Sequence, residues 1–526
     1  MGIADELAKQ QRAVSIAEFF ERNRHLLGFD NKKKALLTVV KEAVDNSLDA
    51  CEEAKILPQI TVELIHMGED RYRVIIEDNG PGIVQEHIGR VFAKLLYGSK
   101  FHSQRQQRGQ QGIGISAACL YAQLTTGRPA KITSKVEGKK ARYCELRLDT
   151  KTNEPQLLAE REVDWDCEHG VRIELDLEAQ YQGGSQSVDA YIKQTAIVNP
   201  HATIIYTNPK AEQLILTRVT QELPPQAKEI KPHPHGIEIG VMQKMLENTE
   251  HTTMQQFLMN DFCRVGAGTA KEILSNALIQ VKAQPKSLRA QDIEQLMKGI
   301  AKTKIIAPPT DCIVPIGEEL LEAGLQKEVT AEFYCSKTRT PEIYHGIPFV
   351  VEVALAYGGT QRGDNAVNVL RFANKVPLLY QMRSGAVYKS IVETGWRTYG
   401  LNQSTNQLPV GPLTIAVHLA SVWPPFTSEA KEALANYPQI IKEIKLALQE
   451  CGRKLGRYVN KKKKARAEQE RVSVFEAYTP VCAELLSEIT GESKVRIEQH
   501  MTQMLVKNKE FIMKNKGIPD GHEKEN

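Results

Sequence analysis

No run of about eighteen apolar residues occurs anywhere in the 526-residue chain, so nothing is expected to span a membrane. The N-terminus is charged and polar and lacks the apolar stretch of a secretory signal. Nine cysteines are present, at 51, 119, 144, 167, 263, 312, 335, 451 and 482, and no two stand in a C-x-x-C pair. That excludes the usual zinc and redox arrangements. Most lie among apolar neighbours and read as buried free thiols of a reducing compartment. An excess of one charge is missing too: 68 basic residues against 64 acidic ones leave only +4. Any nucleic-acid surface must therefore arise from local clustering. With 41% hydrophobic and 25% charged residues the composition is that of an ordinary soluble protein. The length suits about three or four domains, and the expected location is the cytoplasm.

Three motifs carry chemistry. The first is Lys41-Glu-Ala-Val-Asp-Asn-Ser-Leu-Asp-Ala50, inside a run whose apolar spacing (Leu36, Leu37, Val39, Val40, Val44, Leu48) predicts a helix. Glu42, Asn46 and Asp49 stand at i, i+4 and i+7 and share one face. Two carboxylates and an amide oxygen on one stripe form a hard-oxygen site that suits magnesium, although a polar stripe is ordinarily a solvated face. The second motif is Tyr72 to Ile83, a β-branched strand ending in Asp78-Asn-Gly80-Pro-Gly82. Alternation puts Tyr72, Val74, Ile76 and Asp78 on one face. The glycines permit a tight turn and close approach to a flat ligand; a plain hairpin turn would read the same way. The third is Arg108-Gly109-Gln110-Gln111-Gly112-Ile113-Gly114-Ile115-Ser116, leading into an Ala-rich helix start. Exposed amides in such a loop favour phosphate. No Lys-Ser/Thr follows, which excludes a Walker loop, and the spacing is not that of a dinucleotide fingerprint.

In this order and spacing the motifs resemble the nucleotide-binding fold shared by gyrase, the Hsp90 chaperones, histidine kinases and MutL-type proteins. The resemblance implies ATP and Mg2+ as cofactors. It makes Glu42 the general base, Asn46 the magnesium ligand and Asp78 the acceptor for the adenine amino group. Asp49, Gly80, Gly82, Arg108 and the segment Gly109 to Ile115 would complete the nucleotide site. The family's Gly-Thr near the adenine corresponds here to Gly170-Val171, so a hydroxyl contact is missing at that point.

Punctuation by proline divides the chain. Residues 1–228 hold the nucleotide motifs, and Lys231-Pro-His-Pro-His-Gly236 marks a linker. Residues 229–307 read as a helix, a Gly-rich turn and a second helix capped near Thr269, with Arg264 and Lys271 placed for phosphate. Residues 308–476 return to strands (Phe349 to Tyr357, Val369 to Tyr380, Leu413 to Ala420) and end in one long helix from about Glu429. Its distal half carries Arg453, Lys454, Arg457, Lys461, Lys462, Lys463, Lys464 and Arg466, a candidate contact for DNA or another protein chain. Residues 477–526 would hold a further helix after Pro480 and a basic tail.

This order is similar to that of the B subunits of topoisomerase VI, the archaeal type IIB DNA topoisomerase. The matching stretches include Ala17 to Asn23, Tyr97-Gly-Ser99-Lys100, Leu370 to Pro377 and Trp396-Arg-Thr-Tyr-Gly400. The resemblance implies an α+β protein. It would join a two-layer α/β ATPase domain with an N-terminal strap, a helix-two-turns-helix domain, and a transducer domain like ribosomal S5 domain 2 with a stalk helix. It implies a separate A subunit that cleaves DNA, an A2B2 assembly, dimerisation of the B subunits on ATP, and double-stranded DNA as substrate. Lys431 would reach the γ-phosphate from a helix start, Ser99 and Lys100 would contact it from the lid, and Trp396, Arg397 and Tyr399 would touch DNA. On this reading the immunoglobulin-like domain of some members is not expected here. Nor do the roughly 35 residues before the Glu42 helix leave room for a kinase's phospho-acceptor helix. A mismatch-repair-like DNA clamp and a chaperone ATPase stand as the alternatives.

Overall fold

The structure, a computed structural model, describes residues 14–98, 103–109, 112–428 and 431–514. Ser99, Lys100, Gln110 and Gln111 lie outside the described residues.

The first sheet has eight strands: β1 (Gln59–Gly68), β2 (Arg71–Asp78), β3 (Ala130–Lys135), β4 (Ala141–Asp149), β5 (Glu154–Val163), β6 (Gly170–Glu178), β7 (Thr203–Thr207) and β8 (Gln213–Leu216). Their order is β5-β4-β3-β6-β2-β1-β7-β8. All pairings are antiparallel except β1 with β7. Burial alternates along β1, where Ile60, Val62 and Leu64 point inward, and along β6, where Ile173, Leu175 and Leu177 do. That alternation is the signature of a sheet covered on one face only. The cover comes chiefly from α2 (Lys32–Glu53), α4 (Gly114–Thr126) and α5 (Val188–Val198); α1 (Ile16–Arg22) and α3 (Gln85–Ala93) flank them. Helix α2 forms because Asn31 caps it, accepting the Lys34 amide at 2.9 Å. No glycine or proline interrupts its Leu36, Val40, Val44, Leu48 stripe.

Four helices, α6 (Ile239–Asn248), α7 (Met254–Asp261), α8 (Ala267–Asn276) and α9 (Ala290–Lys302), enclose a core of their own around Phe257, Leu258, Ile273, Leu296 and Ile300. The N-cap of α8 is Gly266, three residues before the Thr269 the sequence suggests.

The second sheet holds β9 (Phe333–Thr338), β10 (Glu342–Tyr344), β11 (Ile347–Tyr357), β12 (Asn368–Ala373), β13 (Val376–Pro377) and β14 (Leu413–Ser421), with α10 (Glu318–Glu328) and α11 (Gly385–Val392). The path is β10-β11-β14-β12-β13, β9 pairs with β11, and β12 runs parallel to β14. β14 is buried along its whole length and β11 at every residue but the two end ones, as strands covered on both faces are. Buried polar contacts hold the turn between β12 and β13 against the loop before α4 and the end of α5: Asn374 Nδ2 donates to Gln107 O at 2.9 Å and Asn199 Nδ2 to Lys375 O at 3.2 Å.

The long helix, α12 (Pro438–Thr490), starts later and ends later than the sequence suggests. It runs through Pro480, because one missing hydrogen bond does not end a helix already many turns long. Past it, a separate helix, α13 (Lys494–Lys514), extends into the stretch expected to be a basic tail. The chain divides into two compact units. One runs up to Arg397 and includes Leu401–Gly452; the other joins Thr398–Gly400 to the chain from Arg453 onward. Among the described residues no helix is long and apolar enough to cross a membrane.

Candidate functional site

A cavity of about 360 Å³ lies in the first unit. Its wall includes Glu42 and Asn46 of α2, Asp78 at the end of β2, Gly82 and Ile83 beyond it, and Gly109, Gly112, Ile113, Gly114 and Ile115. Val171 of β6 and Lys431 also line it. Glu42 and Asn46 face inward because α2 buries its opposite, apolar stripe on the sheet. Two glycines are required by close approach. A Cβ on Gly82, at φ +74°, would lie 2.0 Å from Lys135 O; one on Gly114 would lie 1.9 Å from Glu42 Oε2. Gly114 therefore brings the first turn of α4 directly against the Glu42 carboxylate.

Asp78 is buried and held on three sides. Ser47 Oγ donates to its Oδ2 at 2.7 Å, and the amides of Gly80 and Val171 donate to Oδ1 at 2.9 and 3.3 Å. Burial raises its pKa, and those donors counter it. Val171 thus serves through its backbone, where a side-chain hydroxyl had seemed to be missing. An Asp78→Asn variant turns one acceptor oxygen into a donor facing Ser47 and the cavity. Mispairing a buried polar group costs about 1–3 kcal/mol, so ATP and ADP affinity should both fall roughly 5- to 150-fold by calorimetry. Unchanged affinity would remove Asp78 from the adenine contact.

Three expected site residues are placed elsewhere. Gly80 does not line the cavity; it supplies its amide to Asp78. Asp49 lies away from the cavity, in a buried ion pair with Arg108 at 2.7 Å. The Arg108 side chain also binds Glu52 and Asn199. Burial opposes the Arg108 charge, but Glu52 and Asp49 outweigh it and raise its pKa. Only the Arg108 carbonyl meets the site, accepting the Lys431 ammonium at 2.9 Å. Lys431 stands 323 positions from Arg108 and not on a helix start. It occupies a loop at φ +54°, closed by a bridge between Phe426 and Leu434.

Charged and phenolic side chains that the motifs did not single out surround this point. Lys34 and Lys41 of α2, Tyr97, Tyr380 and Glu432 share the cavity wall. Burial lowers the Lys41 pKa against the pull of Glu42. Asp45 is buried and accepts Tyr191 Oη at 2.9 Å, and burial pushes its pKa up to about 6. Lys34 and Lys41 lie seven apart and so on one stripe of α2, a signal present in the sequence. Among the described residues no group of three His, Cys, Asp or Glu could hold a metal. The donor set is Asn46 and Glu42, two hard-oxygen side chains beside the glycine segment. It fits an ion held mostly by phosphate and water.

The DNA candidates divide. Trp396 is fully buried and donates its indole N–H to Ile391 O at 2.8 Å, so it is core and not a surface contact. Arg397 is exposed, with Nε donating to Gln403 O at 2.7 Å. Tyr399 belongs to the second unit and packs on Gly456 of α12. Lys461, Lys462, Lys463 and Lys464 are exposed on α12. Four consecutive residues wrap around a helix, so only Lys461 and Lys464 share a face with Arg453 and Arg457.

Comparison with known proteins meets this geometry from outside. A profile described as histidine kinase-, DNA gyrase B- and HSP90-like ATPase matches residues 31–152, the stretch holding Glu42, Asn46, Asp78 and the glycine segment. The ATPase fold carries ATP binding with it. A second, described as the topoisomerase VI B subunit transducer, matches residues 308–471. Among curated relatives, the B subunit of type 2 DNA topoisomerase 6 from Methanococcoides burtonii is 48% identical over 488 residues, covering 92% of this chain and 78% of the relative. The protein of the same name from Methanosarcina mazei is 49% identical over 483 residues, covering 91% and 78%. That of Archaeoglobus fulgidus is 44% identical over 501 residues, covering 95% and 83%. With an ATPase fold whose cavity runs along α2, a transducer loop that reaches that cavity through Lys431, and identity sustained over nine-tenths of its length, this chain belongs to the family of type 2 DNA topoisomerase 6 B subunits.

Proposed function

We propose that this chain takes up Mg-ATP, dimerises on it, and uses hydrolysis to pass one DNA duplex through a break made by a separate A subunit in an A2B2 assembly. The observation that carries the reading is one cavity lined both by Glu42 and the glycine segment and, from the transducer, by Lys431. Glu42 takes the proton of the attacking water as general base. Asn46 holds the magnesium ion, which when bound offsets phosphate charge. Asp78 accepts the adenine amine, and Gly109 to Ile115 wrap the phosphates through backbone amides. The Lys431 ammonium has three protons and gives one to Arg108 O, which leaves two for a γ-phosphate. Loss of that phosphate removes a partner of Lys431, the contact that comes from the transducer, so the transducer can follow the nucleotide. Ser99 and Lys100 join it as lid contacts in this reading.

DNA contact is assigned to Arg397, Tyr399 and the α12 face of Arg453, Arg457, Lys461 and Lys464. An exposed cationic stripe of helical spacing suits a phosphate backbone. A mismatch-repair-like clamp is not favoured, since the transducer profile and the relatives' names carry the topoisomerase reading. The decisive experiment is reconstitution with a cognate A subunit. Supercoiled plasmid should relax only with both proteins, ATP and Mg2+. Relaxation by the A subunit alone, or none with the complete mixture, would defeat the proposal.

A further inference from the structure

The loop that carries Lys431 is tied to the ATPase domain by the next residue. Glu432 sends Oε1 to Lys34 Nζ at 2.5 Å, 398 positions away in the chain. Its Oε2 accepts Gln381 Nε2 at 2.5 Å. Lys34 is itself fixed: it sits in the first turn of α2, pairs with Asp30 at 2.8 Å, and lies 5.3 Å from the centre of the Tyr380 ring. Both ends are withdrawn from water, with side-chain exposures of 10% for Lys34 and 11% for Glu432. At that burial an ion pair is little screened by salt, and losing one partner leaves an uncompensated charge. Burial works against the Lys34 charge, yet its hydrogen bonds to Asp30 and Glu432 leave its pKa raised.

The arrangement is directional. Lys34 stands on the same helix as Glu42, and Glu432 is bonded covalently to Lys431. A rigid α2 therefore connects the base to the anchor, and one peptide bond connects the anchor to the cation. Lys431 needs such a tether, because its own backbone turns through φ +54° in a loop rather than resting on a helix, and a long flexible ammonium gains precision only when its Cα is held.

We propose that Lys34 and Glu432, with Gln381, form a positioning clamp that registers Lys431 against the γ-phosphate pocket. The ATP-over-ADP preference of this chain then depends on an ion pair between α2 and the transducer loop. The clamp rests on the reading of Lys431 as the γ-phosphate contact, and the test separates the two.

The test measures ATP and ADP dissociation constants and turnover for the full-length chain bearing Glu432→Gln, Lys34→Met, Lys34→Arg, Gln381→Ala and Lys431→Ala, and for Glu432→Gln combined with Lys431→Ala. Glu432→Gln and Lys34→Met should each lower the ATP-over-ADP preference about fivefold, a ratio that cancels any effect these cavity-lining residues have on both nucleotides alike. Lys34→Arg, which keeps the charge, should restore most of it. Gln381 is exposed, so Gln381→Ala keeps the fold and should cause a smaller loss of the same kind; it decides the matter if the buried variants melt early. In the Lys431→Ala background, Glu432→Gln should add nothing, since the clamp acts only through Lys431. Parent-like preference in both Glu432→Gln and Gln381→Ala beside a defective Lys431→Ala overturns the clamp and spares Lys431. Additive losses in the double variant also overturn it. A Lys431→Ala protein with full preference overturns the γ-phosphate reading itself, and the clamp with it.

Discussion

Glu42→Gln should bind ATP with near-parent affinity and hydrolyse it about 10² to 10⁴ times more slowly, the usual loss when a positioned general base is removed. The amide keeps the volume of the carboxylate, and volume matters here: Gly114 approaches so closely that a Cβ would lie 1.9 Å from Glu42 Oε2. A shorter residue would leave a gap at the start of α4, and a larger one would displace it. Gln therefore isolates the proton-accepting role. ATP-driven steps that precede hydrolysis should persist, so the variant should accumulate in its nucleotide-bound form. Steady-state phosphate release together with ATP binding provides the check, and turnover within a few-fold of the parent would end the assignment of Glu42 as base.

The second large effect is expected from Lys431→Ala. A charge-assisted hydrogen bond is worth about 1.5–3 kcal/mol, so the preference for ATP over ADP should fall roughly 10- to 150-fold. ADP affinity should not change, because the diphosphate lacks the group concerned. A ligand shifts a conformational equilibrium only by its differential affinity for the two states. Relaxation of plasmid by the reconstituted complex should consequently fail even where ATP still binds. Relaxation at the parent rate would show that the ammonium does not couple the transducer to the nucleotide.

The fate of individual residues shows where reading a linear pattern stops. Asp49 shares the α2 stripe of Glu42, as i, i+7 spacing requires. The cavity continues along this helix to Ala50 and Glu53, yet the Asp49 carboxylate is taken by the buried Arg108 guanidinium. Periodicity reports the face of a helix and not the partner each side chain finds. Trp396 lies in a motif expected to touch DNA, yet its indole closes on Ile391 O inside the core. Exposure within a motif is set by neighbours that the motif does not contain. Val171 seemed to lack a hydroxyl, and its amide does the bonding to Asp78 instead, a contact open to any residue but proline at that position.

By itself the sequence determined what local chemistry controls. Glycine and proline punctuation, the 3.6-residue stripe of α2 and the alternating strand before Asp78 depend on neighbours a few positions apart. Those point to Glu42, Asn46, Asp78 and the glycine segment, which the structure brings to one cavity. Only the tertiary structure decided the contacts across 323 and 398 positions that bring Lys431 to Arg108 and Glu432 to Lys34. Such pairs leave no periodic trace, because each charge taken alone is indistinguishable from a solvated one. It is the packing of the transducer loop on α2 that removes water from them and gives them a partner.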